Sequence, residues 1–250
     1  MKNILLLALL IGFTSCNSRK EKTESVPVEK ESAYPEPFSK VLDAHGSLAR
    51  WNEFKTLSYT LVKGEDQKET YTVDLHSRKD RLETGTATMG YDGKEVWLNN
   101  PDSTYTGNPE FYHNLMFYFY AMPFVLADSG IMYEETEALQ VADTSYPGLK
   151  IRFKANVGAS SNDEYYLYYD SQTYRMRWLG YTATFGAAKK SDRINYISYA
   201  DGSDINGIRL PASLRWYATE EGVITQPGNR VSFENVQLLK EAKPDSFYTR

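Results

Sequence analysis

Side chains able to do chemistry are sparse in this chain: three histidines, one cysteine and scattered carboxylates. His45 falls where a helix should end, a place where a partial positive charge suits the helix dipole. His76 follows Leu75 on the polar side of a strand pattern, where water satisfies it. His113 is different. It stands inside FYHNLMFYFYAMPFVLA, residues 111–127, and an imidazole among so many apolar groups must find a partner or lose its charge. A general base also needs a nucleophile or metal within reach, and no His-Glu-x-x-His, Cys-x-x-Cys or Gly-x-Ser-x-Gly spacing supplies one. The run DGSDING from Asp201 resembles a calcium loop, but Ile205 takes a ligand position, so a hairpin turn fits better. Glu134, Glu135 and Glu137 read as a solvated strand or loop edge. Paired carboxylates of the glycosidase kind are recognisable only by their geometry. The expectation is therefore a non-enzyme, with no catalytic residue, no metal and no cofactor.

The cysteine has its own logic. MKNILLLALLIGFTSC places Lys2 before an apolar run and Cys16 after small residues, the layout of a secretory signal too short to span a membrane. It resembles a bacterial lipoprotein signal, in which the cysteine is acylated and becomes the mature N-terminus. An ordinary signal peptide followed by an unrelated cysteine is the alternative. Residues 17–37 mix charges with three prolines and read as a tether. The expected organisation is a signal over 1–16, a tether over 17–37 and one domain over 38–250. With one cysteine no disulfide forms within the chain, so packing must carry the fold. The net charge of -5 leaves no basic stripe for nucleic acid.

The elements that would position any site follow from periodicity. Phe38, Val41 and Leu42 lie at helical spacing before His45-Gly46, which predicts a helix capped by the glycine. Leu48 and Trp51 suggest a further short turn. Then the period becomes two: Leu57, Tyr59 and Leu61 share one face of a strand, as do Tyr71, Val73 and Leu75. Asp92-Gly93 marks a hairpin, and turn clusters at Asp170 and Asp201 separate later strand patterns. About ten strands without regular helix alternation predict one curved antiparallel sheet.

Within this β-rich frame, residues 111–127 predict a helix that Asn108 caps and Pro109 begins. Phe111, Leu115, Phe119 and Met122 form one stripe; Tyr112, Met116, Tyr120 and Phe124 form the next. A helix apolar nearly all round must be enclosed on most sides, and a curved sheet meets that need. Two readings stay open. The helix fills the concave face as ordinary core, or helix and sheet enclose an apolar cavity with adaptable methionine walls.

The segments KVLDAHGSLARWNEFKTLSYTL, NPEFYHNLMFYFYAMPFVLAD, NGIRLPASLRWY and VSFENVQLL resemble an uncharacterised lipoprotein family of Bacteroidetes-type bacteria. That family is similar to the outer-membrane lipoprotein carrier and receptor superfamily, known as Lol. The resemblance implies an α+β, mostly antiparallel fold: an unclosed β-barrel of about eleven strands wrapped over a few helices. It also implies a cavity for lipid or lipoprotein acyl chains, an outer-membrane location facing the periplasm and a membrane contact through the anchor. On this reading Phe111, Leu115, Met116, Phe119, Tyr120 and Met122 line the ligand from the helix. Tyr59, Tyr71, Trp97 and Trp178 would face them from the sheet. The alternative is an interaction or scaffold module with a filled core, binding partners through strand tyrosines such as Tyr165 to Tyr169.

Overall fold

The computed structural model describes residues 33–65, 67–154, 163–183, 193–220 and 222–250. The expected signal, Cys16 and most of the tether lie outside them. Tyr34 is already part of the fold, its hydroxyl donating to Ala127 O (3.0 Å) and its ring meeting Phe38 and Tyr133 edge-on.

Helix α1 (Glu36–Ala44) buries Phe38, Val41 and Leu42, as the spacing predicts. It ends where His45 caps it and Gly46 turns at φ +108°; a Cβ there would lie 2.0 Å from Gly207 O, so only glycine fits. The short α2 (Leu48–Trp51) starts with Ser47 accepting from Arg50 N–H.

Strands follow in order: β1 (Thr56–Val62), β2 (Lys68–Asp74), β3 (Asp80–Glu83), β4 (Thr88–Tyr91) and β5 (Val96–Asn99). After a helical stretch come β6 (Ile131–Val141), β7 (Thr144–Phe153), β8 (Glu164–Tyr169), β9 (Met176–Tyr181) and β10 (Asn195–Ala200). A ribbon of β11 (Asp204–Ile205) and β12 (Ile208–Arg209) turns through Asn206 and Gly207, both at positive φ, so the Asp201 region is a hairpin as expected. β13 (Ser213–Glu220) and β14 (Val223–Leu239) complete the set.

Twelve strands form one antiparallel sheet in the order β5-β4-β3-β2-β1-β14-β13-β10-β9-β8-β7-β6. The expectation of a mostly antiparallel sheet with a few helices holds, but the sheet is a single open one of twelve strands rather than about eleven, with β5 and β6 as its two edges. The strands that periodicity did not supply are β3, four residues long, and β6, whose Glu134, Glu135 and Glu137 read only as a solvated strand or loop edge.

The connection from one edge to the other, residues 100–130, crosses the inner face. The expected continuous helix is broken there into α3 (Pro109–Tyr112), α4 (Leu115–Tyr120) and a 3-10 turn over Phe124–Ala127. Asn108 caps α3 by accepting from Glu110 N–H (3.0 Å). The break falls at Asn114 (φ -118°, ψ 0°), beside a histidine drawn down to the sheet.

α4 is surrounded. Tyr120 stacks on Phe233 of β14 (3.8 Å between ring centres) and tilts against Tyr59 of β1 (4.5 Å). Phe119 meets Tyr181 of β9 and Trp216 of β13, while the Tyr199 hydroxyl of β10 donates to Phe119 O (2.9 Å). Five strands therefore reach one turn of helix, which requires the sheet to curl around it. The C-terminal residues cover the outer face: Trp97 Nε1 donates to Tyr248 O (2.7 Å), and Lys79 pairs with Asp245 (2.8 Å). Among the described residues no helix is long and apolar enough to cross a membrane.

Candidate functional site

The register sets out the floor of the inner face. Tyr59 lies opposite Tyr71, Tyr71 opposite Leu82, and Leu82 opposite Met89. The two tyrosine rings stack at 5.0 Å with an interplanar angle of 7°. Met116, Phe119, Tyr120 and Met122 close over this floor and are buried, with Leu115 half-buried beside them.

Seven of the expected ligand-lining residues thus share one apolar cluster: Leu115, Met116, Phe119, Tyr120, Met122, Tyr59 and Tyr71. Phe111 lies outside that cluster and is 40% exposed. The two tryptophans stand on the outer face. Trp97 pairs with Gly90, whose missing side chain leaves room for the indole, and Arg81 lies over the ring at 5.6 Å. Trp178 joins Leu139, Tyr168 and Tyr196 in a separate outer cluster. Both follow from the period of two, because a residue one step out of phase with Leu98 or Leu179 must face the other way.

Two polar tethers border the apolar floor. Glu69 of β2 accepts from the Tyr112 hydroxyl (2.8 Å) and the Tyr71 hydroxyl (3.3 Å) and pairs with Lys63 (2.5 Å). Lys63 also donates to the Tyr112 hydroxyl. On the neighbouring β3, Asp80 Oδ2 accepts from His113 Nδ1 (2.7 Å), with both side chains buried. His113 has found the partner its surroundings demand, and burial pushes the Asp80 carboxyl above the ordinary carboxylate range. Among the described residues the Tyr59 hydroxyl is buried without a hydrogen-bond partner. Sequence reasoning missed Asp80 and Glu69. The available signal was an acid two residues before Leu82, on the inward parity of a strand.

The other histidines are structural. Burial lowers His45 to about 4, so the ring is neutral and its Nδ1 donates to Val41 O (2.8 Å). It does not complement the helix dipole by charge, contrary to expectation. It lines a cavity of about 20 Å³ with Met122, Met176 and Tyr199, room for one water. His76 is exposed as expected, though its Nε2 donates to Phe54 O (2.9 Å).

A cleft of about 480 Å³ lies elsewhere, lined by Arg50, Glu53, Phe54 and Lys240 among others; its Glu53 and Lys240 pair at 2.7 Å. Among the described residues no group of three or more His, Cys, Asp or Glu side chains is placed to hold a metal. The strand tyrosines expected to be exposed are not: Tyr168 and Tyr169 are buried, and Tyr165 and Tyr166 half-buried.

Fold and site together define a mostly antiparallel β protein with an aromatic helical segment laid across the inner face of one open sheet. The chain belongs to a family of unknown function, DUF6503, whose model matches residues 2–226. No curated protein matches it. Among solved structures, the fold is similar to that of a DUF1329 family protein from Desulfovibrio piger ATCC 29098, at a TM-score of 0.52 and 11% identity, covering 86% of this chain and 98% of that one. The chain is also similar to a LolA superfamily protein from Nitrosomonas europaea, at a TM-score of 0.43 and 10% identity over 84% of this chain and 96% of the other. A third similarity is to an outer membrane lipoprotein-sorting protein domain from Vibrio parahaemolyticus, at a TM-score of 0.43 and 8% identity over 80% and 94%.

Proposed function

We propose that this protein is a non-catalytic envelope lipoprotein, anchored through Cys16 to the outer membrane and facing the periplasm, that binds acyl chains or another apolar ligand between sheet and helical segment. One observation carries the reading. The helical segment keeps two large aromatic residues partly exposed, Phe111 at 40% and Tyr118 at 36%, while its other aromatics pack into the curled sheet. A segment serving only as core has no reason to keep large aromatic residues partly exposed. Apolar contact supplies sufficient energy: a chain of about sixteen carbons contributes roughly 10 kcal/mol at about 0.8 per methylene, before ordering costs. The tyrosine and methionine lining suits a chain without fixed shape.

Native mass spectrometry of residues 32–250, the compact unit, purified from bacterial cells tests this directly. A stoichiometric adduct that releases fatty acid or phospholipid on extraction is the expected result. A bare polypeptide mass that persists after incubation with lipid vesicles would end the ligand reading. The second reading, an interaction module with a filled core, would then take its place. What favours that second reading is the outer aromatic cluster, where half-buried Tyr146, Tyr166 and Tyr217 flank Trp178. Anchoring has its own test. Replacing Cys16 by serine is expected to move the protein from the membrane fraction to the soluble fraction on centrifugation, and continued sedimentation with membranes would rule out an acylated Cys16.

A further inference from the structure

The cleft of about 480 Å³ belongs neither to the apolar interior nor to the outer aromatic cluster, and no residue of the helical segment lines it. Three elements meet there: the end of α2 with the residues after it, the Asn206-Gly207 turn of the β11–β12 ribbon, and the last residues of β14. Phe54 and Leu238, both core residues, make its floor apolar. Charged side chains stand around that floor and are held from one element to the next. Lys240 pairs with Glu53 (2.7 Å). Arg50 lies against Gly207, where a Cβ would be 2.4 Å from its Nη1, and donates to Asn206 O (3.4 Å). Asn206 Nδ2 in turn donates to Leu238 O (3.1 Å). The Thr56 hydroxyl holds the backbone of the far rim by donating to Glu241 O (2.8 Å). Two charges stay unspent in this frame. Arg50 meets only a carbonyl, and among the described residues the Glu241 carboxylate makes no hydrogen bond or ion pair.

We propose that this cleft binds a small zwitterion with an apolar side chain, the chemistry shared by free aliphatic amino acids and short peptides. The ligand carboxylate takes the open donors of Arg50, whose planar fork matches it. The ligand ammonium takes Glu241, and its side chain covers Phe54 and Leu238. The balance of the rim selects this class. Arg50 and Lys240 stand against Glu53 and Glu241, so a plain anion or a plain cation meets like charge as well as opposite charge. A molecule carrying both signs satisfies the rim. The volume falls within the ~300–1,000 Å³ of small-molecule sites. Because the rim is already held across three elements, binding orders few side chains, which favours affinity for a small ligand. The assignment does not rest on the apolar-ligand reading, since it uses none of the inner-face residues.

Isothermal titration calorimetry of the full-length protein with leucyl-leucine tests it. Saturable one-to-one binding is expected. N-acetyl-leucyl-leucine amide keeps both side chains and carries neither charge; it should bind at least about tenfold more weakly. Arg50→Gln and Glu241→Gln each remove one charge from an exposed side chain, so both variants should melt with the parent. Each should weaken leucyl-leucine binding by roughly 10- to 100-fold, the loss of one charge-assisted contact. Leucine binding as tightly as the dipeptide assigns the cleft to a free amino acid, and tighter dipeptide binding assigns it to a peptide. Three results would overturn the proposal. The first is no heat and no rise in melting temperature with millimolar leucine or leucyl-leucine. The second is equal binding of the blocked dipeptide, and the third is unchanged affinity in either variant.

Discussion

Replacing Tyr120 by alanine is expected to lower the unfolding free energy by about 3–5 kcal/mol, the cost of deleting a large aromatic from a core that cannot collapse around the hole. Its ring is 1% exposed and held between Phe233 at 3.8 Å and Tyr59 at 4.5 Å, partners from adjacent strands that cannot both follow it. At the usual 2–4 °C per kcal/mol for a domain of this size, the melting temperature should fall by roughly 10 °C. Leu115→Asp is the informative companion. Leu115 is half-buried at the start of α4, where the new carboxylate can turn toward water. Its stability cost should stay near about 1 kcal/mol, typical of a partly exposed position. Lipid retention, however, should drop at least about tenfold, because an unpaired charge at an apolar wall is costly to desolvate once a ligand covers it. Urea denaturation beside lipid extraction reads both quantities. Equal losses for Leu115→Asp would mean that α4 is core and nothing more.

Much of this frame can be read from the sequence because short-range rules decide it. Phe38, Val41 and Leu42 make one helical stripe whatever surrounds them, and Leu57, Tyr59 and Leu61 face the same way because side chains alternate along a strand. Asp92-Gly93 and Asn206-Gly207 turn where their backbone preferences say. The tryptophans depart from expectation for a different reason. Trp97 is large and apolar, and composition alone sends it inward, but its parity on β5 puts it opposite Gly90 on the outer face. A cover of C-terminal residues, invisible to local pattern, then makes that face dry enough to hold it. β3 is four residues long and carries only one apolar residue, Leu82, on its inner face, so Asp80 is hidden with it. The partner of His113 is 33 residues away in sequence, so only tertiary structure reveals the pairing. The seven residues that do converge come from stretches whose periodicity is unambiguous, which is why that part of the candidate site is legible without coordinates.

The largest pH-dependent effect is expected at that pairing. His113→Leu removes the donor from Asp80 Oδ2 and leaves a carboxyl 1% exposed. Stranding one member of a buried polar pair typically costs about 3–5 kcal/mol. Burial raises the Asp80 pKa in the folded protein, and Tyr59, Tyr118 and Tyr248 offer it no positive charge. A raised folded-state pKa means that protonation favours the folded chain. The stability it contributes is present at low pH and is lost as pH rises through the folded value. The deficit of His113→Leu should therefore be greatest near pH 8 and narrow steadily as pH falls toward 5, where the buried carboxyl more readily carries its own proton. Asp80→Asn behaves oppositely. Its amide oxygen still accepts from His113 Nδ1, no charge is buried, and stability should stay within about 1 kcal/mol of the parent, as replacing a buried charge by a neutral group often does. Urea denaturation of both variants at several pH values between 5 and 8 decides the matter. A His113→Leu deficit that is flat or grows toward acid would mean that Asp80 is not a buried carboxylate held by His113 at neutral pH.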